Sequence, residues 1–242
     1  MGRDSTRPPL VCGIDLGSRS TLSYVAWLDG NRLVFDVYQA SAERPLPEPP
    51  GQRRVAAYAI DAPQGLPAAA AGGRSRRVAD AEAHTPTQSL PTDRAGLLAL
   101  RLYGGLVRTG VEVFWSIHTR GLGHIVGSDE PAAPADDRPL VGETWPRLVL
   151  RRLRASARGE PPKRREPEAY ARLVWQVVRA TGLHAASVRT PAVDHAEAAL
   201  AALAARALAD AARRDSLPFH LGIAPQADAH EGLLREGFIV SC

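Results

Sequence analysis

The amino-acid sequence predicts an α/β fold in which a central mixed β-sheet is flanked by helices. Short apolar runs that end in an acidic residue recur along the chain, a strong hairpin signal lies near the N-terminus, and helical periodicity dominates the second half. The 242 residues suit one core with insertions better than two domains. We therefore predict a single domain over residues 1–242, with irregular insertions around 41–53, 62–93 and 119–140.

The first three strands are expected to form an antiparallel meander. Residues 10–15 are a short apolar run, and the turn signal Asp29-Gly30-Asn31 separates two stretches rich in Val, Tyr, Trp, Leu and Phe. Further strands are predicted at 54–61 and 111–117, a new element begins at 141–146, and the tail 236–242 is a final strand candidate. No helix is evident between the third strand and residues 54–61.

Four helices are predicted from apolar stripes at helical spacing, over residues 94–109, 147–157, 167–181 and 194–214. The last of these is the most regular, because Ala and Leu dominate it and arginines close its final turn. Asp194 suits the N-cap of this helix.

Composition excludes several classes of protein. Cys12 and Cys242 have no metal-site spacing, and two cysteines exclude a disulfide framework. No apolar stretch reaches transmembrane length and the first residues lack a signal-peptide core, so we expect a cytoplasmic protein without a membrane partner. The net charge of +4 is compatible with nucleic acid as a partner. The sequence does not determine the oligomeric state.

Acidic residues stand at the ends of apolar elements. Asp15 and Asp61 close two predicted strands, Glu143 lies in the element that begins at 141, and Asp194 and Glu197 are spaced i, i+3 on one helix face. A carboxylate that ends an apolar strand is unfavourable unless it is paired, hydrogen-bonded or metal-bound. Each of these residues alone also suits a turn, a helix cap or a solvated helix face, so their combination indicates the site.

Carboxylates that converge on one point repel each other, and a divalent cation relieves that repulsion. Oxygen ligands favour Mg²⁺ or Mn²⁺ over zinc. We expect Asp15, Asp61 and Asp194 to hold the metal, with Glu143 or Glu197 as an additional ligand or water-orienting base. Two metals about 3.5–4 Å apart would activate water and stabilise the leaving oxygen in phosphodiester cleavage.

The stretch 147–165 is far more basic than the rest of the chain. One interpretation is a surface that contacts phosphates through Arg147, Arg151 and Arg152. The alternative is a solvated helix and loop that is arginine-rich because the whole chain is.

Five segments carry a resemblance to a known family: GIDLGS (13–18), AIDAPQGLP (59–67), GETWPR (142–147), DHAEAALAAL (194–203) and EGFIV (236–240). In this order they resemble domain of unknown function 429, a family described as a predicted nuclease of ribonuclease-H-like fold. The stretch with Arg74, Arg77 and Asp80 is similar to one that follows the proline- and glycine-containing signature in that family.

The resemblance implies a mixed sheet whose first strand carries an aspartate, matched by Asp15, and a later strand-end acid, matched by Asp61. It also implies a helix-borne acid near the C-terminus, matched by Asp194 with Glu197 nearby, in an order similar to that of Holliday-junction resolvases. Family members commonly carry an aspartate followed by Ala-Leu in this helix, where this chain has Glu197-Ala198-Ala199. The longer arm of glutamate would move the site.

Three functions follow as hypotheses. The leading one is a Mg²⁺- or Mn²⁺-dependent nuclease or phosphodiesterase that acts on DNA or RNA. The second is a non-catalytic nucleic-acid- or protein-binding member of the ribonuclease-H-like fold. The third is phosphoryl transfer on the related actin and sugar-kinase fold, because residues 13–17 look like its first phosphate loop; such enzymes need a duplicated domain and a second glycine-rich loop, for which Ala71-Gly72-Gly73 is a poor candidate.

Overall fold

The computed structural model describes residues 8–68, 73–87, 89–101, 104–128, 137–155, 158–185, 192–214 and 216–242. Within them the chain forms a nine-stranded mixed sheet and a separate two-stranded one. The strands are β1 (Leu10–Asp15), β2 (Ser23–Asp29), β3 (Arg32–Tyr38), β4 (Val55–Asp61), β5 (Arg74–Ser75), β6 (Leu90–Pro91), β7 (His124–Ile125), β8 (Leu140–Thr144), β9 (His184–Ala185), β10 (Phe219–Asp228) and β11 (Leu233–Ser241). The helices are α1 (Val78–Glu82), α2 (Arg94–Ala99), α3 (Gly104–Thr119), α4 (Pro146–Arg154), α5 (Pro167–Ala180) and α6 (Val193–Ala212).

The strands of the large sheet follow the order β10-β11-β8-β4-β1-β2-β3-β9, and β7 also pairs with β8. β1, β2 and β3 are antiparallel neighbours, which confirms the predicted meander. β4 is parallel to β1, β8 to β4 and β11 to β8, whereas β10 is antiparallel to β11. The α/β class and the mixed sheet flanked by helices are therefore confirmed.

The β2–β3 hairpin forms where the turn signal predicts it. Asp29 pairs with Arg32 across a two-residue turn, and Gly30 adopts a φ of 60°. Turns of this length need left-handed backbone conformations, which glycine adopts at little cost.

Helices cover both faces of the sheet. Along β1, Val11 and Gly13 face α6, whereas Cys12 and Ile14 pack in the cluster that contains residues of α3. The helices α4 and α5 also contribute to the α6 face. Because both faces are buried, β1 reads as a continuous apolar run.

The α6 helix lies unusually close to β1. A Cβ atom on Gly13 would stand 2.0 Å from the backbone nitrogen of Ala202 and 2.2 Å from the carbonyl oxygen of Ala198. The absent side chain of Gly13 and the small alanine side chains of α6 therefore let the backbones of helix and strand pack directly on each other.

The predictions for residues 94–109 and 111–117 are wrong in part. The first helix ends at Ala99, residues 102–103 lie outside the described residues, and α3 then runs through the predicted strand. Val113, Phe114 and Ile117 are buried on this helix at i, i+1 and i+4 and pack against the sheet. These β-branched and aromatic residues favour a strand by propensity, but burial of one helix face against the sheet makes the segment helical.

Other elements differ less from the prediction. The helices 147–157, 167–181 and 194–214 correspond to α4, α5 and α6, although 156–157 lie outside the described residues. The N-cap of α6 is Ala192, so Asp194 is a first-turn residue. The predicted insertions contain only short elements where they are described (69–72, 88 and 129–136 are not). The strands β9 and β10 were not predicted. No helix among the described residues is long and apolar enough to cross a membrane.

Replacement of Gly13 by Ala tests the helix–strand contact. The added methyl group collides with the α6 backbone, so we expect a loss of at least about 3 kcal/mol in the free energy of unfolding, measured by urea denaturation. Gly30→Ala is the control, because its Cβ meets nothing within 4 Å and only the φ of 60° costs about 1 kcal/mol. Equal stability of the two variants would contradict the close packing.

Candidate metal centre

Asp15 and Asp61 lie side by side at the ends of two parallel strands. β1 and β4 pair with Gly13 opposite Ala59 and Asp15 opposite Asp61. Because alternate residues of a strand share a face, both aspartates lie on the face that α6 covers. Strand pairing alone thus brings two carboxyl groups together on that face.

Glu197 completes the group from the helix. Its side chain is buried, and it directly precedes Ala198, which packs on Gly13. One carboxylate oxygen from each of Asp15, Asp61 and Glu197 lies within 4.8 Å of the other two. Ligands on opposite sides of a Mg²⁺ ion are about 4 Å apart, and those of larger hard cations about 5 Å. The spacing and the all-oxygen donor set therefore fit a hard divalent cation.

Two donors hold the carboxylate of Glu197. The Lys163 ammonium donates to Oε2 and forms an ion pair. The buried Tyr170 hydroxyl on α5 donates to Oε1 at 3.2 Å. Lys163 lies in the connection between α4 and α5, with 38% of its side chain exposed. These contacts fix the position of the Glu197 carboxylate.

The carboxyl groups of the centre destabilise each other's charged forms. Burial raises the pKa of Asp15 well above its ordinary value, the charge of Glu197 raises it further, and Lys163 opposes the rise. Burial likewise raises the pKa of Asp61, with Asp15 and Glu197 adding to the rise. Such a group of carboxyl groups is stabilised in its ionised form by a bound cation.

Asp194 lies near the group but not in it. Among the described residues, the mutually close carboxylate oxygens belong to Glu197 and the two strand aspartates, so Glu197 takes the place predicted for Asp194. The reason is helical geometry: Glu197 lies one turn further along α6, next to the contact with Gly13. The charge of Asp194 still raises the pKa of Asp15.

The structure does not bring Glu143 into the carboxylate group. A Cβ on the preceding Gly142 would stand 3.2 Å from Leu208 of α6, so Glu143 points to the opposite face. There the buried Arg77 donates two hydrogen bonds of 2.6 Å to its carboxylate and one of 2.7 Å to Asp80. Glu143 is thus part of a separate buried ion-pair network.

Residues 62–68, which follow β4 and are called the signature segment here, have a structural role. The Gln64 backbone N–H donates to Glu143 at 2.7 Å, and Leu66 pairs with β11 through hydrogen bonds to Leu234 and from Glu236. The buried carboxylate of Glu236 accepts hydrogen bonds from the backbone of Ala68 and Val78. These bonds attach residues 62–68 to the last strand.

The arginines predicted to contact phosphate each have partners within the chain. Arg147 and Arg151 both form ion pairs with Glu160, at 2.9 and 3.2 Å. Arg152 donates to the carbonyl of Cys242 at 2.7 Å and lies over the Phe219 ring. Arg147 also lies over the ring of Tyr170, and the hydroxyl of the same tyrosine donates to Glu197. A phosphate-binding role for these arginines stays a prediction.

Two residues of the centre, Lys163 and Tyr170, were not predicted from the sequence. A signal for Lys163 was present, because it is the single lysine among 30 basic residues. In a chain that otherwise uses arginine, one retained lysine indicates a position with a special requirement. Tyr170 carried no such signal, since a tyrosine on the apolar face of a helix is ordinary.

Comparison of the chain with family models, curated proteins and solved structures gives no match. The family resemblance therefore remains a prediction that rests on the quoted segments.

The raised pKa values of Asp15 and Asp61 make the stability of the metal-free protein depend on pH. Between the ordinary carboxyl pKa, about 4, and the raised values, the folded state binds more protons than the unfolded state, so stability falls as the pH rises. In EDTA at pH 7 we expect Asp15→Asn to be more stable than the wild type by on the order of 1 kcal/mol, with the difference vanishing near pH 3.5.

Urea denaturation across this pH range is the measurement. Asp210→Asn, which changes a carboxylate on α6 with 42% of its side chain exposed, is the control and should leave the pH dependence unchanged. A variant Asp15→Asn that is less stable than the wild type at pH 7 would show that burial and the neighbouring carboxylates do not destabilise the charged form of Asp15.

The network around Arg77 is expected to stabilise the fold rather than the metal centre. Arg77→Met leaves Glu143 and Asp80 buried without their cation, so we expect a loss of about 3–5 kcal/mol by urea denaturation. The exposed Arg172→Met, which breaks only a surface pair with Glu168, should change stability by less than about 0.5 kcal/mol. If Arg77→Met lost as little stability as Arg172→Met, the network around Arg77 would not stabilise the fold.

Proposed function

We propose that this protein is a Mg²⁺- or Mn²⁺-dependent nuclease of ribonuclease-H-like fold and a member of the domain of unknown function 429 family. The observation that carries the proposal is the convergence of Asp15, Asp61 and Glu197 from the first strand, a later parallel strand and a C-terminal helix. Carboxylates from these three elements are what the resemblance implies. The antiparallel β1–β3 meander followed by parallel strands supports the fold assignment.

The residues of the centre fit a divalent cation by their chemistry. Asp15, Asp61 and Glu197 would hold it, and it would supply a Lewis acid that lowers the pKa of water and stabilises charge on phosphoryl oxygens. Tyr170 and Lys163 orient the Glu197 carboxylate towards the strand ends. Lys163, with 38% of its side chain exposed, also places a positive charge beside the carboxylates that would attract a phosphodiester.

Phosphoryl transfer on the actin-like fold is not favoured by the packing of the first glycines. The space at Gly13 is taken by the backbone of α6, and a Cβ on Gly17 would stand 2.4 Å from the carbonyl oxygen of Leu22. Both glycines are thus required by contacts within the chain, and the Gly17 N–H already donates to the Ser23 hydroxyl at 3.0 Å, so a role in phosphate binding is not needed to explain them.

The proposal predicts metal-dependent cleavage that needs all three carboxylates. With Mn²⁺ and branched, single-stranded or hybrid nucleic acids, we expect Asp15→Asn, Asp61→Asn and Glu197→Gln each to lower the cleavage rate by about 10³-fold or more, since each removes a ligand of the cation that would stabilise the anionic transition state. Asp210→Asn, which alters an exposed carboxylate of the same helix, should cleave at the wild-type rate.

Thermal unfolding with and without Mn²⁺ gives an independent readout. At an ion concentration 100 times the Kd, the wild type should gain about 2.7 kcal/mol and the three variants much less. Stabilisation by Mn²⁺ without cleavage of any of these nucleic acids would contradict the nuclease and favour a non-catalytic metal-binding protein. Absence of both effects would contradict the metal centre itself.

A further inference from the structure

Lys163 is a cation that the chain itself supplies to the carboxylate centre. Its ammonium is bonded to Glu197 and carries a positive charge that lowers the pKa of both Asp15 and Asp61. One side chain therefore acts on all three carboxylates.

The connection that carries Lys163 is anchored on both sides. Glu160 forms ion pairs with Arg147 and Arg151 of α4, and the backbone N–H groups of Arg165 and Glu166 donate to Pro162 at 2.9 and 2.8 Å. The backbone that carries Lys163 is thus an ordered turn, and the ion pair with Glu197 holds its ammonium at the centre.

Charge balance limits what else the centre can hold. The three ionised carboxylates and the Lys163 ammonium together carry a net charge of minus two, which one divalent cation neutralises. A second divalent cation would leave an excess of positive charge on the centre, where both oxygens of Glu197 already accept a hydrogen bond, Oε2 from Lys163 and Oε1 from Tyr170. The nearby Asp194 adds one further negative charge, which is too little to balance a second divalent ion.

We propose that Lys163 takes the position of a second cation, so that the centre binds a single divalent ion beside the ammonium. This inference rests on the proposed function, and it replaces the two-metal arrangement that the sequence predicts. A lysine suits the role because its charge is compact and can approach a carboxylate as a point charge. The positive charge that a second metal would place near the substrate phosphate is then supplied by the protein.

The test is a Mn²⁺ titration of the full chain by calorimetry, with electron paramagnetic resonance of the loaded protein. The wild type is expected to bind one Mn²⁺ and to give a signal without spin coupling. In Lys163→Met, which removes the charge and keeps the length of the side chain, we expect two Mn²⁺ ions. They should be spin-coupled, because ions that share these carboxylates stand about 4 Å apart.

Two controls separate charge from side-chain loss. Lys163→Arg keeps the positive charge and should bind one Mn²⁺, and Arg172→Met removes a surface charge from α5 and should also bind one. Circular dichroism and a thermal melt check that each variant is folded, and Lys163→Gln serves in place of the methionine variant if that variant fails the check.

The outcomes test the role of Lys163 separately from the proposed metal centre. Two Mn²⁺ ions in the wild type, one ion in the folded Lys163→Met or Lys163→Gln, or two in Lys163→Arg would each overturn the role of Lys163 and leave the metal centre intact. No Mn²⁺ bound by the wild type would overturn the proposed metal centre itself.

Discussion

The contact between Gly13 and the α6 backbone is the constraint on which the rest of the site depends. It sets α6 directly against β1, and the helix residues whose backbone atoms approach Gly13 are Ala198, Ala201 and Ala202. Any larger residue on the strand would lift the helix, and Glu197 would then no longer lie within 4.8 Å of Asp15 and Asp61. The alanines of α6 therefore determine where the carboxylate of Glu197 lies. The same contact sets both the packing of the helix and the geometry of the carboxylate group.

The two faces of the sheet carry different groups of buried charged residues. On the face opposite α6, the ion pairs of Arg77 with Glu143 and Asp80 satisfy buried charges, and the signature segment is attached to β11. On the α6 face, three carboxylates are held together against their repulsion, with Lys163 as a partial counterion. A protein keeps such an unfavourable group only where the surrounding fold is strong enough to impose it, and strained groups of this kind are typical of functional sites.

Much of the fold could be predicted from local patterns, because β1–β4, α5 and α6 each carry a clear period or turn signal. Local patterns failed for α3, where Val113 and Phe114 suggest a strand and only the burial of a helical face decides otherwise. Asp15 and Asp61 were found because acidic residues at strand ends are unusual. Asp194 was predicted as a metal ligand ahead of Glu197, because the sequence does not show which turn of the helix lies against the strand ends. Glu143 was included because the side of the sheet that a residue faces cannot be predicted without the strand register. Lys163 lies in an irregular connection, and no periodicity predicts its contact with α6.

A crystal structure of the protein soaked in Mn²⁺, with an anomalous difference map, would locate the bound ion directly. We expect one strong anomalous peak within about 2–2.6 Å of carboxylate oxygens of Asp15, Asp61 and Glu197, with the Lys163 ammonium still beside Glu197. Absence of a peak at these three residues, or a peak held instead by Glu143 or by Asp194 without Glu197, would contradict this expectation.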